Sequence, residues 1–438
     1  MRRPHCHAPE RAATAFGLLL ILASPLAAQV PAAAPDAQRI LLSDALQQIN
    51  SSNPNLRASA AEVEATRARI TIAGTRLNPG LSLTRDQLSG QPDGYSETTI
   101  ALTHTLEVGG QRSRRQDAAT LALSAAEARL AAERARLIFE VQRAYVTAAA
   151  AEARANAIGE TTEIFRTVDQ SGQMRFAAGD ISAFSRQRLE VERARYETRL
   201  ADAELDLLEA GRELGLRVAP QAVSGGAYAL LAGEALETIP TGGVVSTLAE
   251  GLSLVGGRAD VRAATLAVEA ARARVALERS ERVPDVTLTG GYKHQADGLH
   301  GPLLGVSIPI PVLDKNAGRV AEADALLTAA EAERSLAVLR AEADIRRTWE
   351  NYTSIAARLD LLSEASLLAS AAMLQTAQIA YGEGEMSLVE LLDAAEAYDI
   401  AKETATRLRA LLAIAHFDLL RAVGAMEVDE MPLPEDVR

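Results

Sequence analysis

The chain has 438 residues, of which 48% are hydrophobic and only 3% aromatic, and its formal net charge is −13. Such an acidic chain is not expected to bind nucleic acid, and so few aromatic residues are not typical of a large globular core. Alanine dominates the hydrophobic fraction, which favours long helices packed closely through small side chains. The single cysteine, Cys6, precedes the first apolar run, so neither a disulfide nor a lipid anchor is expected in the mature chain.

The N-terminus resembles a secretory signal. Arg2, Arg3 and Arg11 precede an apolar run over 15–27, and small residues at 27–28 lead into polar sequence. The alternative is a membrane anchor, but a spanning helix needs about 20 apolar residues and this run is shorter. We therefore predict a signal peptide over 1–28 and an exported protein.

The chain then repeats itself. Residues 55–84 align without a gap with residues 260–289, at an offset of 205, and matching Pro, Gly and Tyr landmarks continue in the same order, including Tyr145 and Tyr352. This period is too long for a solenoid, so the pattern predicts a duplicated domain. The predicted divisions are a signal peptide 1–28, a first repeat 29–215, a connector 216–257, a second repeat 258–424 and a C-terminal tail 425–438.

The sequence predicts the same order of helices and strands in each repeat. A helix (about 44–76, and about 259–282) ends before a proline, two strand-like segments follow, and a very long helical stretch with one break completes the repeat. In the first repeat the break is expected near Gly159. The connector contains many glycines and two prolines, which predicts limited structure.

The strand-like segments alternate in the way that strands of a membrane barrel do. Over 99–106, Ile100, Leu102 and Leu106 share one face, and small polar residues occupy the other. The second repeat alternates similarly over 285–293 and 304–310, although a soluble two-layer sheet would give the same pattern. Four strands cannot close a barrel, because barrels begin at about eight strands. Subunits must therefore share one, and a 12-stranded trimer leaves a water-filled bore that an eight-stranded dimer does not.

The helices are too long for a globule. From Arg112 to about Gln173 the chain contains no proline, and about 60 helical residues would extend roughly 90 Å. A heptad pattern then runs through five repeats from Leu388, with alanine at many seam positions. This predicts coiled-coil packing, although a solvated coiled-coil rod would show the same heptads.

With these features the sequence resembles the TolC-like outer-membrane efflux proteins over nearly the whole mature chain. The segments 107–112 (EVGGQR) and 308–319 (IPIPVLDKNAGR) resemble the two strand-to-helix junctions of the heavy-metal, CzcC-like branch. The resemblance implies a mainly α fold with a membrane β-barrel part, in which a homotrimer forms a 12-stranded β-barrel and a 12-helix α-barrel. It further implies location in the outer membrane, with helices in the periplasm, and no catalytic activity or cofactor.

The resemblance also implies partners and cargo. The expected partners are outer-membrane lipid, a periplasmic membrane-fusion adaptor and an inner-membrane RND-type pump driven by protons. Heavy-metal cations are the expected cargo. Multidrug efflux and type I secretion are the alternatives, because the pump selects the substrate.

Two glycine turns are the candidate functional positions. The patterns Phe176-x-x-Gly179-x-x-Ser182 and Tyr381-x-x-Gly384-x-x-Ser387 suit helix reversals, where glycine relieves strain and serine caps the returning helix. The resemblance makes these turns periplasmic tips where adaptor hairpins dock. The expected docking residues are Phe176, Gly179, Ser182, Gly384 and Ser387.

The resemblance also places a gate beside the second turn, formed by Tyr381, Glu390 and Asp393. The two carboxylates lie one helical turn apart, and threefold symmetry would make each a ring that attracts cations. The alternative is a solvated helical face. Where the family has an arginine beside this turn, the chain has Met386, which argues against a latch through that residue.

Two other protein classes compete with the channel hypothesis. An enzyme is not expected, because the sequence shows no nucleophile–base pair, phosphate loop or HExxH pattern. His294 and His300 are expected at a strand–strand turn over 298–302; a surface turn is the preferred interpretation and weak metal binding is the alternative, and no dedicated metal site is predicted. A periplasmic coiled-coil adaptor also carries helical hairpins, but it would have one hairpin flanked by β-rich modules, which the duplicated chain lacks.

Overall fold

The computed structural model describes residues 38–89, 95–219, 229–362 and 364–426, so the predicted signal peptide and most of the predicted tail lie outside the described residues. Nine α-helices are described there: α1 Leu42–Ser52, α2 Pro54–Gly74, α3 Gln111–Ala178, α4 Ala183–Val218, α5 Leu248–Ser253, α6 Ala259–Ser280, α7 Ala317–Leu361, α8 Glu364–Gly382 and α9 Leu388–Val423. The strands of the same residues are β1 Gln38–Ile40, β2 Gly80–Leu88, β3 Tyr95–Leu106, β4 Leu230–Ala232, β5 Val286–Gln295 and β6 His300–Ser307. Within this part of the chain, no helix has both the length and the apolarity needed to cross a membrane.

The first predicted helix is in fact two helices. Asn53 adopts an extended conformation and caps α2 by accepting a hydrogen bond from the backbone N–H of Asn55, 2.9 Å away. Pro54 follows at the first position of α2, where its missing N–H costs nothing. A proline also disfavours a helical conformation in the residue before it, so the prediction of one helix over 44–76 was wrong. Its counterpart α6 is uninterrupted and ends two residues before the predicted boundary.

The long helices confirm the predicted length but correct the predicted break. Helix α3 runs through 68 residues, about 100 Å, without interruption at Gly159. The prediction of a break there was wrong because one glycine costs a helix only about 1 kcal/mol, which the packing along α4 readily offsets. In the second repeat the helical stretch is divided, since α7 ends at Leu361 and α8 begins at Glu364.

The heptad rows predicted from Leu388 onward face other helices. Helix α9 packs against α3, α7 and α8, and most residues of both rows are buried. Alanine at many of these positions lets the helix axes approach closely. The predicted coiled-coil seam is therefore confirmed.

The four long strands form one antiparallel sheet in the order β2-β3-β5-β6. The strands of the first repeat join those of the second through β3 and β5, where Ile100 pairs with Tyr292. Leu83 of β2 pairs with Ile100, and Pro302 of β6 pairs with Tyr292, so the register carries one row of residues across the sheet. Because neighbouring residues in such a row point to the same side, the alternation in each strand adds up to two distinct faces.

One face of this sheet is apolar and the other is small and polar. The apolar face has these exposed members: Leu81, Leu83, Ile100, Leu102, Leu106, Leu288, Tyr292, Leu304 and Val306. The opposite face has these members: Ser82, Thr84, Thr99, Ala101, Thr103, Thr105, Thr287, Thr289, Gly291 and Lys293. No other described element packs extensively on the apolar face, so its large side chains are open to the surroundings.

A second, smaller sheet was missing from the prediction. Strands β1 and β4, three residues each, pair in parallel and tie the connector to the start of the first repeat. The connector is also held by the tyrosines that the duplication aligns. The hydroxyl of Tyr145 accepts a hydrogen bond from the backbone N–H of Glu234 at 3.1 Å. The hydroxyl of Tyr352 donates one to the carbonyl oxygen of Thr241 at 2.7 Å.

The two strand-to-helix junctions also correspond. Gly110 precedes α3 with φ 76°, and Asn316 precedes α7 with φ 55°, so both helices begin after a residue in the left-handed region. Asn316 is the only described residue other than glycine with a positive φ, and its side-chain amide donates to the carbonyl oxygen of Glu278 at 2.7 Å. This bond holds the conformation that a glycine adopts freely.

An ionic cluster joins the start of α6 to α7 and α9. The carboxylate of Asp344 accepts hydrogen bonds from Arg258 at 3.2 Å, Arg347 at 2.8 Å and Arg421 at 2.9 Å. Burial alone would raise the pKa of Asp344, but the three guanidinium groups outweigh it and hold that pKa below its ordinary value.

Candidate functional site at the hairpin turns

The two candidate turns have the same backbone geometry. Gly179 and Gly384 have φ values of 85° and 81°, which are left-handed conformations that favour glycine. In the first turn the N–H of Asp180 donates to the carbonyl oxygen of Arg175, and in the second the N–H of Glu385 donates to that of Ala380, both at 2.8 Å. These bonds span five residues, as in the Schellman ending of a helix. The predicted reversals are thus formed at both positions.

Both serines cap the returning helix, as predicted. Ser182 accepts a hydrogen bond from the backbone N–H of Ser185 at 3.1 Å. Ser387 accepts one from the N–H of Glu390 at 3.3 Å, and the Glu390 carboxylate accepts in return from the Ser387 N–H at 2.8 Å. This is a reciprocal capping box. The side chain of Glu390 therefore has a local structural partner.

The capping box also determines the ionisation of the Glu390 carboxylate. Hydrogen bonds from the hydroxyl and then the backbone N–H of Ser387 hold the pKa of Glu390 below its ordinary value. The carboxylate is exposed and remains ionised at neutral pH. It therefore presents a negative charge at the second turn.

Tyr381, the third gate candidate, is buried and not open to solvent. Only 4% of its surface is exposed, and it packs in an apolar cluster with Leu189, Tyr196 and Leu391. Desolvation raises the pKa of its hydroxyl. The rings of Phe165 and Tyr196 stack in the same cluster, with centroids 4.4 Å apart. Tyr381 thus joins the second hairpin to the apolar interior of the first.

Sequence reasoning missed an arginine side chain, Arg175, that links one hairpin to the other. Nη1 of Arg175, in the last turn of α3, donates to the carbonyl oxygen of Tyr381 at 2.9 Å. Its guanidinium carbon also lies 5.4 Å from the centroid of the Tyr381 ring. Met386 replaces the arginine expected beside the second turn, and Arg175 supplies a cation from the first repeat instead. Its partner is 206 residues distant, so no local motif could reveal it.

A second link joins the hairpins farther along the helices. The carboxylate of Asp399 in α9 accepts from Thr161 of α3 at 2.8 Å and from Arg199 of α4 at 2.9 Å. One residue earlier, the hydroxyl of Tyr398 donates to the carboxylate of Glu160 at 3.2 Å. Burial, followed by the charge of Glu160, raises the pKa of Tyr398 to about 12. Together with Arg175, these contacts form what we term the inter-hairpin latch: Arg175–Tyr381, Thr161/Arg199–Asp399 and Glu160–Tyr398.

Asp393 lies on the open side of the same region. It is exposed and lines a groove of about 200 Å³ between α4 and α9. The other carboxylates of this groove are Glu192, Glu396, Asp399 and Glu403, and its cations are Arg188, Arg195 and Arg199. The structure brings Asp393 and Glu390 to one end of α9, but gives Glu390 a serine partner and leaves Asp393 facing the groove.

Apolar side chains project from the turn of the first hairpin. Phe176, a predicted docking residue, is 46% exposed; Met174 and Phe184, which were not predicted, are 69% and 71% exposed. Val389 occupies the position of Phe184 in the second repeat and is also exposed. Phe184 and Val389 each follow the capping serine of their hairpin by two residues. That repeated spacing was the signal by which sequence reasoning could have found this pair.

Among the described residues, no group of three His, Cys, Asp or Glu side chains is placed to hold a metal ion. His294 and His300 were assigned to a turn, but they lie in β5 and β6 and pair directly across the two strands. That assignment was wrong because the turn is shorter than predicted, with the glycine of positive φ at Gly298.

Comparison with known proteins shows which protein family the chain belongs to. The family model described as outer membrane efflux protein matches residues 45–216 and 253–425, which is most of the chain, so the chain belongs to this family. Membership confirms the predicted location in the outer membrane and the prediction that the protein is not an enzyme. It also excludes the periplasmic adaptor hypothesis.

Two individual relatives indicate the branch of the family that this chain resembles. The chain is 28% identical over 288 residues to the cobalt-zinc-cadmium resistance protein CzcC of Cupriavidus metallidurans, an alignment that covers 64% of this chain and 65% of that protein. It is 26% identical over 369 residues to the nickel-cobalt-cadmium resistance protein NccC of Alcaligenes xylosoxydans xylosoxydans, covering 77% and 74% respectively. The chain thus spans about two thirds of the length of these relatives. Both matches confirm the resemblance to the CzcC-like branch.

Solved structures confirm the fold. The structure of CusC superposes with a TM-score of 0.70 at 16% identity, covering 90% of this chain and 95% of that one. The outer membrane protein VceC of Vibrio cholerae gives a TM-score of 0.67 at 20% identity, covering 87% and 96%. The TolC-like fold class predicted from the sequence is therefore correct.

Proposed function

We propose that the protein is the outer-membrane channel of a tripartite efflux system and passively conducts heavy-metal cations out of the cell. In this proposal three copies form one channel, which receives cargo from an inner-membrane RND-type pump through a periplasmic membrane-fusion adaptor. The observation that carries the proposal is a four-stranded sheet whose apolar face is uncovered and whose edge strands, β2 and β6, have no further partner within the described chain.

The open edges argue for assembly. In hydrocarbon, each unpaired backbone group costs several kcal/mol, so a four-stranded sheet with two free edges is not stable in a bilayer as a monomer. Pairing β6 of one copy with β2 of the next satisfies both edges. Two copies would give eight strands and a bore filled by side chains, whereas three give 12 strands and space for water. The polar face, rich in threonine and glycine, would then line that bore.

Assembly is tested by measuring the mass of the detergent-purified protein with native mass spectrometry and by recording single-channel currents in planar bilayers. A trimer that conducts ions supports the proposal. A stable monomer without conductance would contradict the shared barrel. Because the chain is cysteine-free after Cys6, single cysteines placed on β2 and β6 provide an independent test by cross-linking between copies.

The proposed cargo rests on similarity to the two metal-resistance relatives and on the charge of the gate region. The groove beside Asp393 carries five carboxylates against three guanidinium groups, so repetition around a threefold axis would favour cations.

Cargo is tested by deleting the gene and measuring growth in cobalt, zinc, cadmium and nickel salts, and in parallel in a panel of drugs. We expect metal tolerance to fall and to return when the gene is restored. Unchanged metal tolerance with increased drug sensitivity would support the alternative, a multidrug channel. A defect confined to a secreted protein would instead support type I secretion.

We further propose that the hairpin ends form the gate and the docking surface. The inter-hairpin latch would hold the closed state, and the charges of Glu390 and Asp393 would line the constriction. Phe176 and Phe184 project apolar surface beside Gly179, and Gly384 and Ser387 shape the equivalent tip of the second hairpin. A helical hairpin of an adaptor would bury these apolar side chains, which otherwise remain in water at both tips.

A further inference from the structure

The sheet carries a row of polar side chains on its apolar face, near the end that is farthest from the helices. Arg85 pairs with Thr98, Thr98 with His294, and His294 with His300, so the row crosses all four strands. By alternation these residues lie on the same face as Ile100 and Tyr292. Arg85, His294 and His300 are all exposed.

The position of this row relative to the apolar band is informative. From Ile100 to Leu106 the apolar side of β3 advances by about 20 Å along the strand, or about 16 Å in height at a tilt of about 40°, and this fits within the lipid-facing band, about 25 Å tall, of outer-membrane barrels. The polar row lies two residues beyond the last apolar row, about 5 Å higher. That height is the headgroup level of the outer leaflet, since the β5–β6 turn lies at the end opposite to the periplasmic helices.

The row combines a guanidinium, a hydroxyl and two imidazoles. The guanidinium of Arg85 forms no ion pair within the described residues. Nδ1 of His300 lies 3.1 Å from the carbonyl oxygen of Gly298 and donates to it, so Nε2 of this ring can donate to a phosphate only in the imidazolium form. The rings of His294 and His300 have centroids 6.2 Å apart. Arg85 lies two strands from His294, about 10 Å across the sheet, and its long side chain and planar fork suit a phosphate held above Thr98 between them.

We propose that this row, Arg85–Thr98–His294–His300, binds the phosphate of an outer-leaflet lipid headgroup. The proposal rests on the barrel orientation of the proposed function, with the apolar face toward lipid. Charge complementarity and continuity with the apolar band identify the occupant, because acyl chains on Ile100 and Leu102 would place a headgroup beside Arg85 and His294. Tyr292, one row below, is an aromatic side chain at the interface, where such rings are enriched in barrels.

The test is thermal unfolding of the full-length protein in neutral detergent with added lipid A, in its bisphosphorylated form and with the phosphates removed. We expect the phosphorylated form to raise the unfolding midpoint more than the dephosphorylated form. Replacement of Arg85, His294 and His300 together by Gln should weaken the apparent affinity for phosphorylated lipid A about fivefold or more, as expected for loss of a basic contact at an anionic surface. The variant Arg85→Lys, which retains the charge, should keep most of the effect.

The control is Arg340→Gln, which removes a charge from the exposed surface of α7, far along the chain from the sheet. Equal stabilisation by both lipid forms, or an unchanged response of the triple variant, would overturn the proposal. Protection of the wild type by Zn²⁺, abolished by the His substitutions while lipid A has no effect, would replace it with a two-imidazole metal site. Native mass spectrometry of the same samples distinguishes these results from failure of the barrel itself, which would appear as loss of the trimer.

Discussion

Replacing Arg175 by Gln should release the second hairpin from the first and favour the open channel. The guanidinium of Arg175 makes a charged hydrogen bond of 2.9 Å to the Tyr381 carbonyl oxygen and lies over the Tyr381 ring. A hydrogen bond from a charged donor contributes about 1.5 kcal/mol or more, and an exposed cation–π contact contributes about 0.5 kcal/mol. Their sum of about 2 kcal/mol corresponds to about a 30-fold change in the closed-to-open equilibrium for each subunit.

The assay is single-channel recording in planar bilayers, combined with the sensitivity of cells to a large antibiotic that the closed channel excludes. Arg175→Gln should increase the time spent in the high-conductance state and make cells more sensitive. The matched control is Arg195→Gln, which removes the same charge from the first hairpin. Arg195 pairs with Glu192 of its own helix, 3.3 Å away, so this variant removes no contact of the latch.

Equal conductance of wild type and Arg175→Gln, with a normal trimer and unchanged melting temperature, would refute the latch. A rise in conductance of the same size in Arg195→Gln would attribute the effect to net charge at the tip and not to the contact with Tyr381. The double variant with Asp399→Asn should exceed either single variant, because Asp399 links the same hairpins through Thr161 and Arg199.

Three further predictions concern stability. Gly179→Ala should destabilise the fold by about 1–2 kcal/mol, because alanine tolerates the left-handed conformation poorly, whereas Gly382→Ala, in the last turn of α8 and without a positive φ, should be neutral in thermal unfolding. Tyr352→Phe should cost about 1 kcal/mol through the lost hydrogen bond to Thr241, measured by thermal unfolding, and an unchanged midpoint would show that the connector is not held there. Asp344 has a lowered pKa in the folded state, so its stabilising effect is complete above its unfolded pKa and is lost as pH falls through its folded value. In acid titrations below about pH 4, Asp344→Asn should therefore show a weaker dependence of unfolding on pH than the wild type.

Features with a local signal were predictable from the sequence. Gly179 and Gly384 fix the turns because the reversal needs a positive φ, and Ser182 and Ser387 cap the next helix because their spacing is short. The alternation of the strands likewise defined their faces before the register was known. These properties depend on residues within a few positions of one another, which a single sequence displays directly.

Features that depend on distant partners were not predictable. The three-residue strands β1 and β4 exist only because each pairs with the other, about 190 residues away, and neither has a pattern of its own. Gly159 signalled a break that the neighbouring helix suppresses. Likewise, the polar row of the sheet emerges only when Arg85, Thr98 and His294 are placed in register.

The duplicated hairpins have diverged in a way that bears on gating. In the first hairpin the buried carboxylate of Asp169 lies 3.3 Å from Arg186 and 3.2 Å from Arg193, so α3 and α4 are joined by ion pairs. At the offset of 205, these three positions in the second hairpin are Leu374, Leu391 and Tyr398, which belong to the apolar cluster shared with the first.

An ion-paired hairpin keeps its internal contacts when its neighbour moves away. The second hairpin, by contrast, buries part of its apolar surface against Phe165, Leu189 and Tyr196 of the first, and Arg175 adds the latch to Tyr381. Separation of the two therefore exposes apolar surface of both hairpins at a defined interface, and an adaptor that covers this surface would lower the free-energy cost of opening. We therefore expect the first hairpin to stay fixed and the second to move when the proposed gate opens.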